Sequence, residues 1–177
     1  NQLAALPESF GHLSALREVD LHCNHLYLLP SNFCQLLALE KLKANSNFLA
    51  ALPPEFTDLS ALEFLDLCNN QLAAIPGDFG RLSALQTLNL SHNKLNEIPQ
   101  SFATLRKLKF LVLHHNLLTK LPRRLRNLTA LHTLHLEYNK LKALPSDFSI
   151  APSLQILNLR SNNLTVLPAG FTSLGAL

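Results

Sequence analysis

The chain has 177 residues, 47% of them apolar and 15% charged, with a formal charge of +3, five glycines and three cysteines. Its longest apolar runs are only a few residues, far short of the ~20 that a membrane-spanning helix needs, so no transmembrane segment is expected. A net charge this small makes any basic surface a local feature. There is no glycine-rich phosphate loop, no H-E-x-x-H, no G-x-S-x-G and no C-x-x-C, so no catalytic role is expected for these residues.

The apolar residues follow a strict rhythm. Leu85 to Leu105 read L-x-x-L-x-L-x-x-N-x-L-x-x-I-P-x-x-F-x-x-L, and the phrase returns every 23 residues. Asparagines fall at Asn1, Asn24, Asn47, Asn70, Asn93, Asn116, Asn139 and Asn162, and prolines at Pro7, Pro30, Pro53, Pro76, Pro99, Pro122, Pro145 and Pro168. A fixed period of this length without insertion marks a solenoid, whose core lies between neighbouring repeats. Asn1 already occupies the asparagine slot, Leu177 opens a further unit and no polar capping unit is visible, so residues 1–177 are expected to be an excised piece of a longer protein, one domain of about seven and a half repeats.

In chain order, Leu16, Leu39, Leu62, Leu85, Leu108, Leu131 and Leu154 each open a short segment that alternates apolar and polar. Alternation with period two predicts a strand with one face inward. The inward pairs are Val19 and Leu21, Leu42 and Ala44, Leu65 and Leu67, Leu88 and Leu90, Leu111 and Leu113, Leu134 and Leu136, and Leu157 and Leu159. One strand per repeat predicts a parallel sheet with strands ~4.8 Å apart. The asparagine after each strand is expected to be buried, its amide bonding turn groups within and between repeats as a ladder. The proline then suits an extended limb leading into a short helical turn. An aromatic spine follows: Phe10, Phe33, Phe56, Phe79, Phe102, Phe148 and Phe171, interrupted by Leu125. Ala151, flanked by Ile150 and Pro152, predicts a distorted convex limb, and Ala44 in a leucine slot predicts a thin spot or local repacking.

The L-x-x-L-x-L-x-x-N phrase is the leucine-rich-repeat signature. With L-P-x-x-F-x-x-L in its second half, the 23-residue form resembles the intracellular Ras-suppressor type, also found in scaffold proteins, plant Ras-group relatives and some bacterial effectors. The resemblance covers the whole chain and implies an α/β-type repeat solenoid: a horseshoe with a parallel concave β-sheet and short 3₁₀ or irregular convex turns. It also implies a protein-interaction module that meets a folded partner through the concave face, with a small GTPase or its regulator as the partner suggested by family analogy.

The variable positions carry the rest. Four columns, whose members sit one strand spacing apart, are expected to face solvent. The first is Glu18, Lys41, Phe64, Thr87, Phe110, Thr133 and Ile156, and the second Asp20, Lys43, Asp66, Asn89, Val112, His135 and Asn158. The third is His22, Asn45, Cys68, Ser91, His114, Glu137 and Arg160, and the fourth Cys23, Ser46, Asn69, His92, His115, Tyr138 and Ser161. Aromatic anchors within a polar rim are the pattern of a binding hot spot. The candidate protein-binding residues are therefore Phe64, Asp66, Phe110, Val112, His114, His115, His135, Glu137, Tyr138 and Arg160. Zinc needs three or four ligands converging at ~2.0–2.1 Å, and Cys68 lies two repeats from His114, so no metal or other cofactor is expected.

Between Glu97 and Glu137 there is no acid, and Arg106, Lys107, Arg123, Arg124 and Arg126 fall there with further lysines. This basic patch suits an acidic protein or a membrane surface. No base-stacking aromatics interleave it, so nucleic acid is not expected. A Glu97–Lys120 pair is predicted from its 23-residue spacing. Scattered, odd-numbered cysteines fit reduced thiols and a cytoplasmic protein. The sequons at Asn89, Asn127 and Asn163 keep open a glycosylated recognition ectodomain or sensor. A targeting arm of a larger enzyme, such as a ligase or kinase, is a third reading.

Overall fold

The computed structural model describes residues 1–146 and 153–168. Seven strands, β1 (Glu18–Asp20), β2 (Lys41–Lys43), β3 (Phe64–Asp66), β4 (Thr87–Asn89), β5 (Phe110–Val112), β6 (Thr133–His135) and β7 (Ile156–Asn158), form one parallel sheet in sequence order. The register advances by one repeat at every step: Glu18 pairs with Lys41, Lys41 with Phe64, Phe64 with Thr87, and so on to Ile156. The predicted first column is therefore a straight row across the sheet. The middle residue of each strand points inward, and β1 to β6 bury theirs in one continuous core. Ala44 is wholly buried within that core despite its small size.

Behind the sheet, the limbs after the prolines form 3₁₀ turns at Glu8–His12, Ser31–Gln35, Pro54–Asp58, Phe79–Arg81, Gln100–Thr104 and Leu125–Asn127. Pro7, Pro30 and Pro99 hold the extended backbone that precedes a turn. The spine Phe33, Phe56, Phe79 and Phe102 is fully buried, and the rings of Phe79 and Phe102 stack with centroids 5.3 Å apart. Leu125 takes the aromatic slot and is also buried, while Arg124 before it adopts a left-handed conformation at φ 62°. Phe148, Phe171 and the distortion expected at Ala151 lie outside the described residues.

Adjacent turns approach closely enough to demand glycine in places. A Cβ on Gly80 would fall 2.1 Å from the carbonyl oxygen of Ser101 and 2.3 Å from Thr104 Oγ1.

The asparagine ladder is present. Asn47 Nδ2 donates to the carbonyls of Ala44 in its own repeat, 3.1 Å away, and Leu21 in the one before, 2.9 Å away. Its Oδ1 accepts the backbone N–H of Leu26 at 3.0 Å. Asn70, Asn93, Asn116, Asn139 and Asn162 repeat the arrangement. Among the described residues, strands and turns contact only their counterparts in consecutive repeats, as a one-dimensional stack requires.

Candidate functional site on the concave face

Each strand ends in a turn that the ladder holds from inside. Cys23, Ser46, Asn69, His92, His115, Tyr138 and Ser161 all have positive φ, between 51° and 55°. This is the predicted fourth column, and none of its members is glycine. The following asparagine holds the two carbonyls that lead into the bend: Asn93 Nδ2 donates to Leu90 at 3.1 Å and Ser91 at 3.1 Å. The bent residue donates its own N–H to the next rung, as His92 does to His114 and His115 to Glu137, both at 3.0 Å.

The bend lifts these side chains to one rim of the sheet, where they stack. His92 and His115 lie parallel with centroids 4.3 Å apart, and His115 and Tyr138 repeat the spacing at 4.3 Å. The Arg160 guanidinium sits over the Tyr138 ring at 5.7 Å. His114, one residue before the bend, meets His92 edge-on at 5.0 Å and His115 at 5.3 Å. A ring nitrogen from each of the three lies within 4.8 Å of the others. Burial holds the His92 and His114 imidazoles below their ordinary pKa, and the charges of neighbouring histidines act in the same direction. At His114 the carboxylate of Glu137 opposes the shift. Glu137 Oε2 stands 3.4 Å from His135 Nδ1, and these two atoms and His114 Nδ1 are enclosed without a hydrogen-bond partner.

The other end of the face is ionic. Lys41 pairs with Glu18 at 2.8 Å, Lys43 with Asp20 at 3.1 Å, and Arg17 with Glu40 at 2.7 Å. Lys41 also lies over the Phe64 ring at 5.7 Å. In the middle, Phe110 is 45% exposed between Thr87 and Thr133. The inner columns are less open than their alternation predicts. Asp66, Val112, His114 and His135 are half-buried, Ser91 is 2% exposed and the Glu137 side chain 14%. Burial raises the Asp66 carboxyl above its ordinary pKa, against the hydrogen bond from the Cys68 N–H.

On the opposite side, Arg106, Lys107, Arg123 and Arg126 are exposed, and the predicted Lys120–Glu97 pair forms at 3.1 Å. The Arg123 N–H is held by Gln100 Oε1 at 3.0 Å. One exposed cluster escapes the four columns: Tyr27 stacks on Phe48 at 5.4 Å, with His25 5.7 Å from the same ring. Its signal was available in the sequence, because Tyr27 and Phe48 stand just after Asn24 and Asn47 in slots the repeat leaves variable.

Family models for leucine-rich repeats match residues 15–36 and 129–177, and one for a leucine-rich repeat region matches 54–140. The chain is a leucine-rich-repeat protein. No curated protein sequence matches it significantly. A solved leucine-rich-repeat protein of Leptospira interrogans is 31% identical, with a TM-score of 0.75, over all of this chain and 51% of its own length. The TLR13–ssRNA13 complex gives 30% identity and a TM-score of 0.79 over 93% of this chain and 24% of that one. The plant peptide hormone receptor RGFR1 in complex with RGF2 gives 27% and 0.76 over 91% and 31%. This chain thus spans about half the length of the Leptospira protein and less of the other two. No helix among the described residues is long and apolar enough to cross a membrane.

Proposed function

We propose that this leucine-rich-repeat chain is a protein-interaction module that receives a folded protein on its concave face, and that its work is binding rather than catalysis. The observation that carries this is Phe110, a large aromatic side chain 45% exposed on β5, an inner strand of a seven-stranded sheet. The His92–His115–Tyr138 stack supplies an amphipathic rim beside it. Aromatic anchors next to polar groups dominate interface energetics. RGFR1 with RGF2 is a repeat protein of similar architecture holding a peptide hormone. TLR13 holds an RNA, but here the concave Lys41 and Lys43 are paired with Glu18 and Asp20, leaving little free positive charge for a phosphate backbone. A small GTPase or its regulator, in the cytoplasm, is the partner class that the Ras-suppressor resemblance supports.

The test is co-purification of partners with the full-length protein, then titration of the captured partner against Phe110→Ala and Tyr138→Ala variants. A loss of about tenfold or more in affinity with unchanged circular dichroism is expected of anchor residues. Unaltered affinity in both variants refutes the assignment.

A second reading, a glycosylated recognition ectodomain, draws on the exposed side chain of Asn163 in the sequon Asn163-Leu164-Thr165. Expression in a secretory host distinguishes the two: a glycan mass on Asn163 favours the ectodomain, an unmodified peptide the intracellular module.

A further inference from the structure

We infer that His92, His114 and His115 form a binding site for a borderline divalent transition metal, zinc foremost, at the rim of the concave sheet. Three imidazoles from two adjacent repeats place one ring nitrogen each within 4.8 Å of one another. A tetrahedral zinc ion with nitrogens at about 2.0–2.1 Å sets them ~3.4 Å apart, so the widest pair closes by no more than about 1.4 Å. Side-chain rotation supplies that much. His92 and His115 are exposed, so their stacked rings have room to tilt.

The ring planes converge in part: His114 is crossed with the other two, at 89° to His92 and 78° to His115, whereas His92 and His115 lie within 13° of parallel and must tilt toward a shared ion. The backbone beneath is fixed, because His92 and His115 occupy positive-φ bends pinned by Asn93 and Asn116. His114 Nδ1 is enclosed with no hydrogen-bond partner, and so is Oε2 of Glu137 in the next repeat. The Glu137 carboxylate, 3.4 Å from His135 Nδ1, brings a negative charge to the edge of the cluster. A donor set of imidazoles without thiolate selects zinc, copper or nickel over magnesium or calcium. Three protein ligands leave the fourth tetrahedral position to water.

The test uses tag-free protein titrated calorimetrically with zinc chloride, and with cobalt(II) while the visible absorption of a tetrahedral ion is recorded. One equivalent of zinc and an intense cobalt band are expected. His92→Gln, His114→Gln and His115→Gln should each weaken zinc binding at least tenfold, with unchanged circular dichroism, and His25→Gln should leave it intact. Absence of saturable zinc binding overturns the site. So does a His114→Gln protein that binds zinc with unaltered stoichiometry and affinity.

Discussion

The amide of Asn93 donates to the carbonyl of Leu67, 26 residues earlier and 3.0 Å away, so one side chain ties two repeats together. Leu67 also accepts from Asn70, and Leu90 accepts from both Asn93 and Asn116, so these carbonyls keep a donor if Asn93 is lost. The Leu72 N–H, which Asn93 Oδ1 accepts at 3.0 Å, does not share this insurance. Asn93→Leu should therefore cost about 1–3 kcal/mol, the penalty of one stranded buried group, read from the urea midpoint. Asn162→Leu, at a half-buried position, should cost less.

Two glycines separate close approach from mere tolerance. At Gly80 a methyl group would collide with the Ser101 backbone, so Gly80→Ala should destabilise by about 1–3 kcal/mol. At Gly77 nothing lies within 4 Å of the added Cβ, and no glycine among the described residues has positive φ. Gly77→Ala should be neutral or stabilising by up to about 1 kcal/mol, because it restricts the unfolded chain. Thermal melts of the two variants check the contrast.

Truncating the spine should cost more. Phe102 is fully buried against Phe79, and Phe102→Ala should remove about 3–5 kcal/mol, measured by chemical denaturation.

The thiols should react in order of access. Cys23 is exposed, Cys68 half-buried and Cys34 buried. Burial, with Glu55 and Asp58 nearby, pushes the Cys34 thiol up to about 11. At pH 8 only about one Cys34 in a thousand is then the reactive thiolate. Peptide mapping after brief alkylation should find Cys23 modified first and Cys34 last.

Acid should weaken the first rungs slightly. The His22 ring bonds the Asp20 carboxylate, burial opposes, and Lys43 adds to the effect, holding Asp20 at about 2 against an ordinary 3.8. A depressed carboxyl contributes stability above 3.8 that is lost as pH falls toward 2. The group is well exposed, so the contribution is about 0.5 kcal/mol. The stability difference between the native protein and Asp20→Asn should be constant near neutrality and shrink through that window.

Much of this architecture is legible because each slot demands one chemistry. At Asn47 an amide gives two carbonyls a donor and one N–H an acceptor, and at Phe56 a bulky apolar ring fills the core. Period therefore became register, and Glu18, Lys41 and Phe64 form the expected row. What alternation could not convey was depth. Ser91 and Glu137 lie in a column read as open, yet neighbouring side chains cover them. Nor did it reveal the diagonal approach of His114 to His92, which depends on the bend one residue later. Tyr27 and Phe48 went unnoticed because they stand on the flank, outside the strand grid.

That bend has a wider meaning. Seven described residues hold a backbone shape that glycine tolerates best, at a strain of about 1 kcal/mol or more apiece. The frame absorbs this and accepts cysteine, serine, asparagine, histidine or tyrosine there with the same geometry. The rim is an interchangeable socket, able to carry a new recognition script without any rebuilding of the scaffold underneath.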